Sequence, residues 1–161
     1  CIQATLRESI PPERLSALQL VQALATSPGE ACAAAVPPLL QEVTALLSDD
    51  SFRSLQEAAF DILVSSSRGH AAAVATAAGW PALARLLGEG EGRPAWLPDA
   101  PLQVFLCGRM AVDLLLGAPV PEGPEEVAAR EVLRSRVGEG RFLGFYVECL
   151  EAAVAQREWP L

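Results

Sequence analysis

The chain contains no lysine and no asparagine, and only one histidine and one methionine. All 12 basic residues are therefore arginine. That pattern reads first as a coding bias toward Ala, Arg, Gly and Pro. The competing reading is selection for the two-pronged anion contacts that a guanidinium makes and an ammonium does not. Aromatic residues are scarce at 6%, while hydrophobic residues reach 51%, a balance that suits helices packed through Ala and Leu. No uncharged apolar run reaches the roughly 18 residues that a membrane-spanning helix needs. The longest candidate, 71–84, is broken by Gly79 and Pro81. No membrane insertion is expected. A net charge of −8 argues against a nucleic-acid binder, which would carry a basic excess.

Catalytic and metal chemistry are as sparse as the residues that carry them. A nucleophile–histidine pair would have to use His70, which sits beside Gly69 at the head of an Ala-rich stretch without an evident acid to orient it. A helix-surface histidine is the better reading. Cys1, Cys32, Cys107 and Cys149 are far apart and form no CxxC, so no zinc site is expected. They read as small buried hydrophobes in a reducing compartment, with a disulfide pair as the alternative. The expected location is intracellular, in the cytoplasm or inside an organelle. Asp49-Asp50 and Glu125-Glu126 lie near helix starts, where capping and the helix dipole account for them. Gly88-Glu-Gly-Glu-Gly92 lacks the Lys-Ser/Thr of a phosphate loop. No enzyme activity, cofactor or small-molecule substrate is expected. Cys1 stands where an initiator Met would, and no signal peptide is visible, so the chain reads as a piece of something longer.

What is present is helical periodicity. The centre of the chain is 51–89. Asp50 or Ser51 is placed to cap a helix. Phe52, Leu55, Ala59, Ile62 and Leu63 then recur at three- and four-residue spacing, which puts them on one face. Ser65-Ser66-Ser67 and Arg68-Gly69 break the pattern, and a small second helix is expected from His70 to Ala78. Gly79 suits a left-handed helix end. Pro81 suits the first turn of a third helix with Leu83, Leu86 and Leu87 as its buried stripe.

The run AAFDILVSSS…AAGWPALARLL resembles the armadillo repeat, with HEAT repeats as the near neighbour. Ala58, Ala59, Ile62, Ala78, Gly79, Pro81, Leu83, Leu86 and Leu87 occupy the positions that the family pattern requires, over about 40 residues. The resemblance implies an all-α, right-handed solenoid and a role in binding proteins. Nuclear-import adaptors of that fold hold an extended peptide with ladders of Trp and Asn. Here the ladder Asn positions fall on Val64 and Leu116, so that peptide-reading mechanism does not carry over.

Upstream, Pro11-Pro12 open a helix to about Thr26. Leu15, Leu18, Val21, Leu24 and Ala25 form its face, and Leu20 adds apolar surface on another side, as in a helix sandwiched between neighbours. Glu30 to Val36 is short and Ala-rich. Pro37-Pro38 start a helix through Leu47. This segment copies the central one at an offset of about 40 residues. Downstream, 88–101 is a loop by composition, longer than usual helix connections. Trp96 and Leu97 within it either fold back over a groove or anchor a partner. A helix from Leu102 to Gly117 follows. Its tail MAVDLLLGA echoes AAFDILVSS, with Asp113 in the place of Asp61. Glu125-Glu126 open a helix to about Val137, where Glu126 and Arg130 are spaced as a surface ion pair.

Arg130, Arg134, Arg136 and Arg141 make the one basic cluster, either a solvated face or a site for an acidic partner. The last helix, Arg141 to Trp159, carries Phe142, Phe145, Tyr146, Cys149, Leu150 and Ala153 at three- and four-residue spacing. That stripe is either core or a face offered to a further subunit.

The expectation is one domain, 1–161, built of units at about 11–50, 51–90 and 101–161. It would be a non-catalytic scaffold or adaptor in a larger assembly, with other proteins as partners. The alternative is an accessory or regulatory subunit that stabilises a multi-subunit enzyme complex; a stand-alone helical enzyme is a third class. Candidate partner-binding residues are Trp96, Leu97, Arg130, Arg134, Phe142, Phe145 and Tyr146.

Overall fold

The computed structural model describes residues 1–48, 51–87, 94–97 and 101–138, and among these there is no strand. The helices are α1 (Ile2–Glu8), α2 (Pro11–Thr26), α3 (Glu30–Ala35), α4 (Leu40–Ala45), α5 (Arg53–Ala78), α6 (Trp80–Leu87), α7 (Pro101–Gly117) and α8 (Pro124–Gly138). A 3₁₀ turn over Pro37–Leu39 leads into α4. The helix expected from Pro37 to Leu47 is thus shorter and enters through a tighter turn.

α5 is the element on which the others are assembled. Leu55, Ala59, Ile62 and Leu63 are almost fully buried along it. It packs on α2, α4 and α7, while α6 packs on α8. Burying a side chain of that size stabilises by about 1.5–3 kcal/mol relative to leaving it in water.

The expected break at Ser65–Gly69 does not occur, because the helix runs through it. Ser65 Oγ donates to Asp61 O at 2.9 Å. Ser67 Oγ lies 2.9 Å from Val64 O and 3.2 Å from the Asp113 carboxylate, and donates to one of them at a time. Hydroxyls that bond back onto their own helix can be carried inside it. The distortion falls instead at His70, whose φ/ψ of −135°/35° lies outside helical values. Gly79 ends α5 with φ +75°, as its position predicts. Capping differs at the other end. Phe52 is the N-cap residue of α5 and makes no side-chain cap bond. Ser51 Oγ lies 3.2 Å from Ser48 Oγ, and Asp50 lies outside the described residues.

α5 and α7 run parallel in a fixed register. Val64 O accepts from Arg109 Nη2 at 3.2 Å, an offset of 45 residues. Ser67 meets Asp113 at an offset of 46. One turn further on, a Cβ at Gly117 would lie 2.8 Å from Ala71 Cβ, closer than carbon atoms approach. Glycine at 117 therefore lets the two helices close up. On the other side of α5, Gln22 of α2 donates to Ser65 Oγ at 2.9 Å, an offset of 43.

Candidate interaction surfaces

Trp96 and Leu97 are buried, not displayed. The Leu97 N–H closes a turn onto Pro94 O at 3.0 Å. That turn lays the Trp96 ring edge-on against Phe60, with centroids 6.2 Å apart. In this structure Trp96 covers the body of the protein, and an exposed anchor is not what these atoms form. Its indole N–H is buried without a hydrogen-bond partner among the described residues.

Arg130 sits at the junction of three helices. Its guanidinium lies 5.5 Å from the Trp80 ring centroid, a cation–π distance. Its Nη2 donates to Leu115 O at 3.0 Å, near the end of α7. Glu126, one turn before it on α8, accepts from the Trp80 N–H at 3.0 Å and so caps α6 from another helix. The surface pair expected between Glu126 and Arg130 gives way to contacts that tie α8 to α6 and α7. Arg134 is exposed and pairs with Glu131 at 2.9 Å, the solvated-face arrangement. Arg136 is exposed. The described part of the basic cluster is thus divided between a structural clamp and solvent. Phe142, Phe145, Tyr146 and Arg141 lie outside the described residues.

Two depressions lie at the α1 end. One is a cleft of about 370 Å³ whose lining mixes Leu6, Ala45 and Leu46 with Arg7, Arg14, Glu42, Ser48 and Ser51. Arg7 pairs with Glu42 across it. The Arg7 hydrogen bond holds the Glu42 carboxyl below its ordinary value, against an opposing effect of burial. Arg14 donates to Ser9 O and to Arg7 O, both at 2.7 Å, satisfying carbonyls at the end of α1. The guanidiniums in this cleft are committed to internal partners.

The second depression is an open groove of about 540 Å³ between α1 and α2, with Ile2, Ala17 and Leu20 as apolar lining and Glu13 as its one charged residue. Leu20 is 57% exposed, so the sandwiched surroundings expected for it do not exist on this side. Sequence reasoning noted Leu20 as off-face apolar surface but did not select it as a contact residue. Nothing in residues 1–10 signals that α1 would leave that side open. Other large apolar side chains in solvent among the described residues are Ile10, Phe52, Leu102, Leu116, Val120 and Val132.

Cys1 is exposed, Cys32 half-buried and Cys107 buried, so burial as small hydrophobes describes only the last of these three. Cys149 lies outside the described residues. His70 is half-buried beside the distortion in α5. Among the described residues, no three potential metal ligands converge, and no helix is long and apolar enough to cross a membrane. No family model, curated protein or solved structure matches this chain.

Proposed function

We propose that the chain is a right-handed α-solenoid of two to three armadillo/HEAT-like repeats, and that it works as a non-catalytic protein–protein interaction scaffold in a larger assembly. The observation that carries this reading is the repeated lateral register. α2 meets α5 at an offset of 43 residues, and α5 meets α7 at 45 and 46. Units of similar length placed side by side bury one continuous core and leave extended surfaces between their ends.

The groove between α1 and α2 is the surface this reading assigns to a partner. Its apolar lining and exposed Leu20 supply contact area. The overall charge of −8 favours a partner with arginine or lysine around an apolar contact. Binding here would work by shape and burial, with no bond made or broken.

The test is capture from native extract on the full chain, comparing the unaltered protein with Leu20→Glu and His70→Ala. Proteins retained in fixed ratio by the unaltered chain are expected to be lost on Leu20→Glu and kept on His70→Ala, with both variants folded by circular dichroism. Retention unaffected by Leu20→Glu, or an activity abolished by His70→Ala in a folded protein, would remove the proposal.

A further inference from the structure

α8 is attached differently from the helices it joins. α5 buries side chains along its whole length, from Leu55 to Ala75. Among the described residues, α8 fully buries one side chain, Leu133, with Ala129 and Val137 packed partly against the core. Glu126, Arg130, Leu133 and Val137 fall at three- and four-residue spacing, so a single narrow stripe faces α6 and α7. Two of its contacts are electrostatic and both converge on Trp80, which is almost fully buried. The Glu126 carboxylate accepts from the Trp80 N–H at 3.0 Å, at the positive end of α6. Arg130 lies over the Trp80 ring and donates from Nη2 to Leu115 O.

The closed arrangement also carries a cost. Arg130 Nε is buried without a hydrogen-bond partner among the described residues, and water would satisfy it once the helix lifted. The connection that would have to bend is 118–123, with Pro119, Pro121 and Gly123. Among the described residues, no backbone hydrogen bond outside the helices involves 119–122.

We infer that α8 is a latch. It lifts as a unit about the 118–123 connection and uncovers Trp80 and the start of α6, while α5 stays folded. Local openings of this kind belong to elements with few buried apolar contacts. The open form adds a large indole to the outer surface, a contact that the closed form withholds. Because the contacts at Trp80 depend on charge, salt shifts the balance toward the open form. The inference stands on the contacts of α8 and does not depend on the solenoid reading.

The experiment is native-state hydrogen exchange of the full chain, read by mass spectrometry of peptides from 124–138 and 55–67. The unaltered protein should exchange 124–138 at least roughly tenfold faster than 55–67, with a weaker dependence on denaturant. Raising salt to about 0.5 M should speed 124–138 further and leave 55–67 unchanged. Glu126→Ala and Arg130→Ala should each do the same at low salt. Fluorine NMR of the chain labelled with 5-fluorotryptophan reads the uncovering itself, with the Trp80 signal assigned by Trp80→Phe. In both variants the Trp80 signal should move toward its solvent-exposed position while that of Trp96, buried against Phe60, stays. Equal exchange of 124–138 and 55–67 with the same denaturant dependence would overturn the inference, since α8 would then open only with the whole fold. So would exchange of 124–138 that is indifferent to salt, or a Trp80 signal that stays put while 124–138 exchanges faster. If a variant fails to fold, the salt series on the unaltered protein decides by the same outcomes.

Discussion

α5 and α7 carry the same local pattern and live in different surroundings. α5 has α2 on one side, α7 on the other and α4 beneath, and its interior-facing residues are closed off almost completely. α7 shares the pattern through Leu114, yet its Leu102 and Leu116 side chains remain in water. The difference teaches that the apolar pattern of a helix specifies how many neighbours it can accept, while the chain order decides how many it receives.

Removing the shared core position breaks the comparison most severely. Ile62→Ala and Leu114→Ala each leave a cavity where a fully buried side chain stood, and each should cost about 2–5 kcal/mol. Urea unfolding monitored by circular dichroism reads both. Similar losses are expected, since both side chains are fully buried. A Leu114→Ala loss under about 1 kcal/mol would show that the echo between the helices is only a likeness of letters.

The close approach between the same two helices gives a smaller and more specific effect. Gly117→Ala puts a methyl group 2.8 Å from Ala71 Cβ, so the helices must part. The expected cost is about 1–3 kcal/mol, partly offset by the better helix propensity of alanine. Ala71→Gly in the same chain should recover more than it costs alone, a non-additive result that a double-mutant cycle measures. Strict additivity would mean that the contact does not form in solution.

Local signals made much of this legible in advance. The Pro11–Thr26 helix, the left-handed Gly79 and the buried Leu83, Leu86 and Leu87 each depend on residues within a turn or two of one another. The misread places are where side chains chose partners far along the chain. The serines at 65–67 looked like a break because their hydroxyls compete with helix backbone. Here Ser67 reaches Asp113 and Ser65 receives Gln22, so the competing groups become links between helices. Glu126 looked like half of a surface pair and instead caps a helix 46 residues away. Among the candidate contact residues, Trp96 and Arg130 are spent on the protein's own structure, and no spacing rule distinguishes such a use from display.

The smallest expected effect lies at the α1 end, outside the α5–α7 contact, and it separates electrostatic from packing contributions. Arg7 is exposed and its partner Glu42 nearly buried. The Glu42 carboxyl is held below its ordinary value of 4.5, chiefly by the Arg7 hydrogen bond. A lowered folded-state value means that the unfolded chain binds the proton more readily. The pair's stabilisation is therefore full above about 4.5 and is lost as pH falls through the lower folded value. In Glu42→Gln the site has no charge to lose. The melting temperatures of the two proteins should differ most at neutral pH and converge as the solution is acidified below the ordinary glutamate range. Salt should narrow the neutral-pH gap as well, because one partner faces solvent. The packing variants Ile62→Ala and Gly117→Ala should show no such convergence attributable to this pair. A gap that widens in acid would mean that Glu42 is held in its protonated form by burial, and that Arg7 does not govern it.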